Sequence, residues 1–328
     1  MSIRVVVVGC GWAGKFHMEA VAESMEAELA AIVEPDLNKG KHYSLKYGVK
    51  HFTNVDDLVK SDLDYNMVSI CTLPELHYTD CVTFLNLKKN IFCEKPVSRE
   101  YNEIVKLSKL AKKKGCMFGV NFNQRYGKSV IKAKELLMSD SKVHMINGSM
   151  YQQGPRIIKG QVNENFLITD SCCHLIDLMT YLNGKAKKVC TLLKSIESEI
   201  ITDISVIIEF ENNSIGNMSH SFVGGRLETQ HPFQKIEIHT EIAKYDINNL
   251  YDSLVVYNHD SHGHITYTPS VFEVRDYSHS MKLCADLFIR AAANESDTPI
   301  GIEEAIHNSS IIRSILKSAK SGRFEEVQ

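Results

Sequence analysis

The period of the apolar positions changes once along this chain. Over residues 1–120, short continuous apolar runs alternate with stretches whose apolar positions recur every three or four residues. The runs Arg4–Val8, Leu29–Val33, Met67–Cys71, Ile91–Cys93 and Met117–Val120 read as strands, with a minor one at His51–Thr53. Lys15–Ser24, Leu37–Tyr47, Leu76–Leu87 and Arg99–Lys114 carry helical spacing, and Asn54-Val55-Asp56-Asp57 caps a short helix. Apolar strands alternating with helices predict a parallel sheet covered on both faces.

Beyond residue 125 the alternation stops. A helix at Ser129–Met138 leads into a strand at Val143–Tyr151, and Phe166–Leu182 reads as a helix. Strand-like runs follow at Lys188–Ser195, Asp203–Glu211, Ser214–Phe222, Lys235–His239 and Ala243–Asn248. Asn212-Asn213 reads as a hairpin turn, because Asn tolerates positive φ. Hairpins in series make an antiparallel sheet, and helices at Ser280–Asn294 and Ile302–Ser321 close the chain. There is no internal repeat, low-complexity segment or long linker. The expected fold is α/β: a doubly wound parallel sheet over residues 1–122, then an α+β domain with an open, mostly antiparallel sheet over 123–328. Val206, Ile207 and Ile208 are consecutive, which predicts apolar residues on both faces of that second sheet. One face packs on its own helices. The other predicts a homodimer, or a homotetramer of dimers, joined by two-fold symmetry. The competing reading is that a loop at Asn258–Pro269 covers the face within one chain.

Composition narrows the partners. With 44% hydrophobic and 23% charged residues, the 328-residue chain has the balance of a soluble globular protein large enough for two cores. A net charge of -3 implies no polyanion. Lys112-Lys113-Lys114 sits at a helix end, where it suits the dipole, so no nucleic-acid partner is expected. No apolar run has the length of a membrane span, and the start lacks the pattern of a signal peptide, so a cytoplasmic location is expected. Nine cysteines, mostly within apolar segments (Cys71, Cys93, Cys116, Cys190), read as reduced core thiols. Cys172-Cys173 lacks C-x-x-C spacing, no histidines show H-x-x-x-H spacing, and His262-Gly263-His264 reads as loop. No metal site is expected.

The candidate chemistry begins where the first strand ends. Val5 to Val8 run into Gly9-Cys10-Gly11-Trp12-Ala13-Gly14, a helix follows, and Glu34 closes the second strand about 20 residues after the last glycine. In such a turn Gly9 bends the chain, Gly11 admits a pyrophosphate and Gly14 lets helix and strand pack. The helix start offers N–H groups to the phosphates, with Trp12 and Ala13 beside them, and Glu34 accepts the adenosine ribose hydroxyls. A 2′-phosphate would meet Glu34 and Asp36, with Lys39 the nearest cation, so NAD is expected rather than NADP. Three further rims follow strands. Thr72-Leu73-Pro74-Glu75-Leu76-His77 turns into a helix and could pass the nicotinamide side. Glu94-Lys95-Pro96 ends the fifth strand, which aims Lys95 at the cofactor rim or leaves it a surface lysine. Asn123 and Arg125, in Gly119-Val120-Asn121-Phe122-Asn123-Gln124-Arg125-Tyr126, bring amide and guanidinium donors. Lastly, Asp170, His174 and Asp177 share one helical face at i, i+4 and i+7. A carboxylate one turn from an imidazole is what a general base needs; a polar stripe with a capping Asp is the alternative.

In order, G-x-G-x-x-G, T-x-P-x-x-H, E-K-P, F-N-x-R-Y and D-x-x-x-H-x-x-D resemble the glucose–fructose oxidoreductase and inositol dehydrogenase family. The resemblance spans essentially the whole chain, down to Ser318–Gly322. It implies a Rossmann domain followed by an open-sheet α/β domain, a nicotinamide cofactor, and oxidation of a secondary alcohol on a sugar, cyclitol or sugar derivative. It assigns Lys95 to the reacting oxygen and the proton relay, His174 to the general base, and Asp170 to orienting both substrate and histidine. Where the family has glycine within its Asp-to-His segment this chain has Cys172, a side chain expected to narrow the pocket. Two alternatives stand beside the dehydrogenase: a glycosidase that uses NAD transiently, and an NAD-binding regulator without turnover. The three retained polar residues argue against the regulator.

Overall fold

The computed structural model describes residues 2–138, 142–152, 164–195, 200–223, 233–268 and 277–328. The chain begins with β1 (Ile3–Val8), α1 (Trp12–Glu23), β2 (Ala27–Val33), α2 (Leu37–Tyr47), β3 (Lys50–Phe52), α3 (Val55–Val59), β4 (Met67–Ile70), α4 (Pro74–Asn86), β5 (Asn90–Cys93), α5 (Tyr101–Lys114) and β6 (Phe118–Val120). These strands form a six-stranded sheet in the order β3-β2-β1-β4-β5-β6, every neighbouring pair parallel. Val5–Val8, Met67–Ile70 and Ile91–Cys93 are buried along their whole length, as strands covered on both faces must be. The order reverses between β1 and β4. A crevice therefore opens there at the carboxyl ends of the strands, the usual ligand position of an open α/β sheet.

The rest of the chain contributes α6 (Lys128–Leu137), β7 (Val143–Tyr151), a π-turn (Leu167–Ser171), α7 (Cys172–Asn183), β8 (Ala186–Lys194), β9 (Asp203–Phe210), β10 (Ile215–Ser221), β11 (Phe233–Thr240), β12 (Ala243–Asn248), β13 (Ser253–Asn258), β14 (His264–Tyr267), α8 (Tyr277–Ala293), α9 (Ile302–Ser321) and β15 (Glu325–Glu326). Nine strands pair in the order β14-β13-β12-β11-β7-β10-β9-β8-β15. All of these pairs are antiparallel except β7 with β10. Asn213 makes the β9–β10 turn at φ 64, as its side chain permits. Among the described residues no helix is long and apolar enough to cross a membrane.

The chain divides into two compact units, residues 1–123 with 278–306, and residues 124–277 with 307–328. This corrects a boundary that leaves everything after residue 122 in the second domain. Most of α8 belongs to the first unit because it completes that core: Phe288 stacks on Phe92 of β5 with ring centroids 5.2 Å apart, and Gly301 bridges Gly119 of β6.

One further expectation needs correction. The stretch read as a loop from Asn258 holds β14, which pairs with β13; Pro269 lies outside the described residues. Leu254 and Val256 are buried, so the alternation that makes β13 a strand is present in the sequence. The consecutive Val206-Ile207-Ile208 does put apolar residues on both faces of β9, as expected. Ile204, Val206, Ile208 and Phe210 turn inward, while Ile207 alone of the three faces out, 47% exposed.

Candidate active site

The glycine turn has the geometry its residues predict. Gly9 sits at φ +90, and a Cβ there would lie 2.6 Å from the Cys71 carbonyl oxygen. A Cβ on Gly14 would lie 2.0 Å from the Gly9 carbonyl oxygen, so helix and strand approach only because it is absent. Among the described residues nothing stands within 4 Å of a Cβ built on Gly11. Gly11 occupies the N-cap position of α1, where no side chain caps the helix and no acid stands in its first turn. The positive end of α1 is therefore turned toward whatever lies over the turn. Trp12 is 60% exposed and packs edge-on against Phe16, and Ala13 packs on the cluster of Val7, Cys10, Met18, Ile32 and Cys71.

Glu34 is buried at the end of β2. Its Oε2 accepts the Cys10 N–H at 2.9 Å and its Oε1 the Asp36 N–H at 3.1 Å. Two backbone donors thus fix the carboxylate at the lip of the turn and leave acceptor capacity on each oxygen. Asp36 plays a different part. It caps α2, accepting the Asn38 and Lys39 N–H groups, and the Lys39 N–H holds its carboxyl below the usual range. A bare glycine cradle, an uncapped helix start and an anchored acid fit a dinucleotide's pyrophosphate and ribose.

At the next rim, Thr72 donates its hydroxyl to Asp80 at 2.9 Å, and Pro74 opens α4. His77 ties two loops together. Its ring is buried, with Nδ1 2.8 Å from the Pro96 carbonyl oxygen and Nε2 3.0 Å from that of Thr72. Carbonyl oxygens only accept, so both nitrogens must carry protons. Burial opposes that charge, but the Cys93 sulfur and the two carbonyls outweigh it and raise the pKa to about 9. The Lys95–Pro96 peptide is cis.

Glu94 is likewise buried beneath the rim, where it was expected to meet the cofactor. Its Oε1 accepts from His17 Nε2 at 3.0 Å and Asn121 Nδ2 at 2.7 Å, while Oε2 accepts the Lys95 N–H at 3.2 Å. Burial pushes its pKa up, but the hydrogen bonds and charges of His17, Lys95 and Asn121 together more than offset this, so the carboxyl stays ionised. His17 Nδ1 in turn meets Ser69 Oγ on β4 at 2.5 Å. The pattern of residue types did not single out His17 or Ser69. The one available signal is a histidine on the buried face of α1, one turn past Gly14. Asn123 is also fully buried, and its amide donates to Ser280 Oγ on α8 at 2.8 Å.

In the second unit, Arg125 and Asp177 form a buried bidentate ion pair, Nε to Oδ2 at 2.9 Å and Nη2 to Oδ1 at 2.6 Å. The guanidinium lies over Tyr181, 4.7 Å from the ring centroid. Asp177 and His174 both lie on α7, three residues apart, and the Asp177 carboxylate engages two of the Arg125 donors. Asp170 stands in the π-turn, where Thr169 donates to its Oδ2, so the helix spacing assumed for i and i+4 does not hold through residue 171. His174 is the third residue of α7, and both it and Asp170 are buried. Cys172 does not narrow a pocket. It is fully buried, with Sγ 3.3 Å from His220 Nδ1 on β10. Burial pushes the His220 pKa down to about 3 and the Cys172 thiol well up, so the contact is between neutral groups. The glycine turn, Glu34 and Lys95 belong to the first unit, and Asp170 and His174 to the second.

Residues 3–122 match the oxidoreductase family with an NAD-binding Rossmann fold, and residues 131–245 match the GFO/IDH/MocA C-terminal domain. The chain belongs to the GFO/IDH/MocA family. This NAD-binding oxidoreductase is 23% identical over 224 residues to myo-inositol 2-dehydrogenase of Thermotoga maritima, covering 67% of this chain and 64% of that protein. It is also 23% identical over 231 residues to 4-carboxy-2-hydroxymuconate-6-semialdehyde dehydrogenase of Sphingobium, covering 67% and 72%. Its fold is shared with levoglucosan dehydrogenase in complex with NADH, at TM-score 0.89, 19% identity and full coverage of both chains. An oxidoreductase from Agrobacterium radiobacter in complex with NAD+, L-tartaric acid and magnesium superposes as well, at TM-score 0.89, 17% identity, and 100% and 99% coverage.

Proposed function

We propose that this GFO/IDH/MocA oxidoreductase oxidises a secondary alcohol of a sugar, cyclitol or sugar derivative. The observation that carries the reading is Lys95: an amine at the carboxyl end of β5, on the sheet edge that bears the glycine turn, with its backbone held by buried Glu94. The names of the inositol and levoglucosan dehydrogenases among its relatives support the substrate class. Bound NAD supplies the acceptor for the hydrogen of the carbinol carbon. Lys95 hydrogen-bonds the reacting oxygen, His174 takes the hydroxyl proton, and Asp170 orients substrate and imidazole. Trp12, Ala13, Thr72 and Pro74 line the cofactor's path in this reading. Nine free cysteines support a reducing, cytoplasmic setting.

The test is NADH absorbance from purified protein over inositols, aldoses, anhydro sugars and nucleotide sugars. A dehydrogenase accumulates NADH. A glycosidase using NAD transiently releases sugar without net NADH, and a regulator binds NADH and turns over nothing; either result would replace the reading.

Cofactor choice follows from Glu34. A 2′-phosphate would meet a buried carboxylate, so kcat/KM for NAD should exceed that for NADP by on the order of tenfold to a hundredfold. Lys39 Nζ stands 3.7 Å from Glu34 Oε1, so Glu34→Ser leaves a cation beside the ribose and should relax the preference. Removing that cation as well, in Glu34→Ser/Lys39→Ala, should lower NADP use again. Equal use of both cofactors by the wild-type protein would contradict the assignment.

The same reading includes a homodimer, or a homotetramer of dimers, joined through the outer face of the nine-stranded sheet. Register places Ile207 opposite Asn217 and Cys190, and Leu192 opposite Ser205. Leu192, Ile207 and Ile215 are exposed there by 77%, 47% and 48%. Two-fold pairing would cover these side chains. Light scattering should give a multiple of the 37.0 kDa chain, and Ile207→Lys should lower that mass with NADH binding intact. A wild-type mass of one chain would rule the assembly out.

A further inference from the structure

We infer that His17 is a positioning residue for Lys95, acting through the carboxylate of Glu94. The inference rests on the reading that Lys95 serves the reaction. Glu94 joins three separate parts of the first unit to one backbone amide. Its Oε1 is held by His17 from α1, one turn past the glycine motif, and by Asn121 just after β6; its Oε2 receives the Lys95 N–H. Ser69 on β4 fixes the far side of the imidazole. On the other flank, the Pro96 carbonyl is held by His77. Lys95 is therefore bracketed: the amide entering it and the carbonyl following it are both pinned by buried side chains, so its amine is presented from a fixed backbone.

A charged carboxylate buried this deeply gains little net stability over an apolar replacement. What this arrangement does provide is geometry. The helix that presents the dinucleotide cradle and the residue that presents the amine are registered to each other by one acid. Without His17, Oε1 keeps only the Asn121 amide. The carboxyl then rotates or takes up a proton, and its hold on the Lys95 amide loosens. Gln at position 17 can still donate to Oε1; Leu cannot.

The test compares His17→Leu, His17→Gln and Lys95→Ala in the full-length protein. Hydrogen exchange of the Lys95 amide, followed by NMR, needs no substrate. It should quicken roughly tenfold or more in His17→Leu and stay near wild type in His17→Gln. In NAD-dependent oxidation of myo-inositol or levoglucosan, whichever turns over, kcat should fall roughly tenfold to a hundredfold in His17→Leu. KM for the alcohol and NADH affinity should stay within about threefold, and His17→Gln should recover most of kcat. If His17→Leu does not fold, Glu94→Gln carries the same comparison, since an amide cannot accept from all three donors. Unchanged Lys95 exchange and unchanged kcat would overturn the inference. So would His17→Gln failing as badly as His17→Leu with NADH binding lost in parallel, which would mark a purely structural role. Full turnover by Lys95→Ala would sink the proposed function, while the exchange result would still decide the role of His17.

Discussion

His174→Ala should lower kcat by roughly 10²–10⁴-fold, the span that one positioned general base contributes. NADH affinity should hold, because the glycine turn and Glu34 belong to the first unit and His174 to the second. Lys95→Ala should act as strongly, since the amine is assigned to the reacting oxygen itself. Asp170→Asn keeps the size of the side chain and removes its charge, so KM should rise and kcat fall together. Initial rates across about pH 7 to 10 check all three. Near wild-type turnover by His174→Ala over that range would end the base assignment.

The largest stability effect is expected at Asp177. Its carboxylate takes two hydrogen bonds from a buried guanidinium, and Asp177→Ala would leave Arg125 without them. Breaking a buried pair from one side costs about 3–5 kcal/mol. Replacing both partners costs much less, so Arg125→Met/Asp177→Leu should recover most of the loss. Urea unfolding measures the difference between single and double variants. A single variant as stable as the wild type would mean that the pair holds nothing together.

The glycine turn was legible because local backbone demands choose its residues. Positive φ at Gly9 and the close approach at Gly14 admit no side chain, and both requirements fall within six positions of the chain. The alternating strands of the first unit were legible for a similar reason: burial on both faces writes a continuous apolar run. What stayed hidden is non-local. Arg125 and Asp177 lie far apart in sequence, and each reads equally well as a surface charge. Most of α8 returns to the first unit through Phe288 on Phe92, a contact no periodicity reveals. The π-turn at Leu167–Ser171 escaped because the same apolar spacing serves an α-helix. Cys172 was placed toward the substrate by its position in a motif, whereas the helix turns it toward His220 and the core. His77 and Glu94 stand in motifs read as site, yet both side chains are buried, because burial and not spacing decides which side chains reach the surface.

The most direct test of the central claim follows the hydrogen. The alcohol that reduces NAD in the substrate screen, carrying deuterium on every carbinol carbon, is incubated with the protein and NAD, and the reduced cofactor is examined by mass spectrometry. The account predicts one deuterium per reduced nicotinamide, with formation abolished by Lys95→Ala and by His174→Ala. Deuterium lost to water, or reduced cofactor that forms unlabelled, would contradict it.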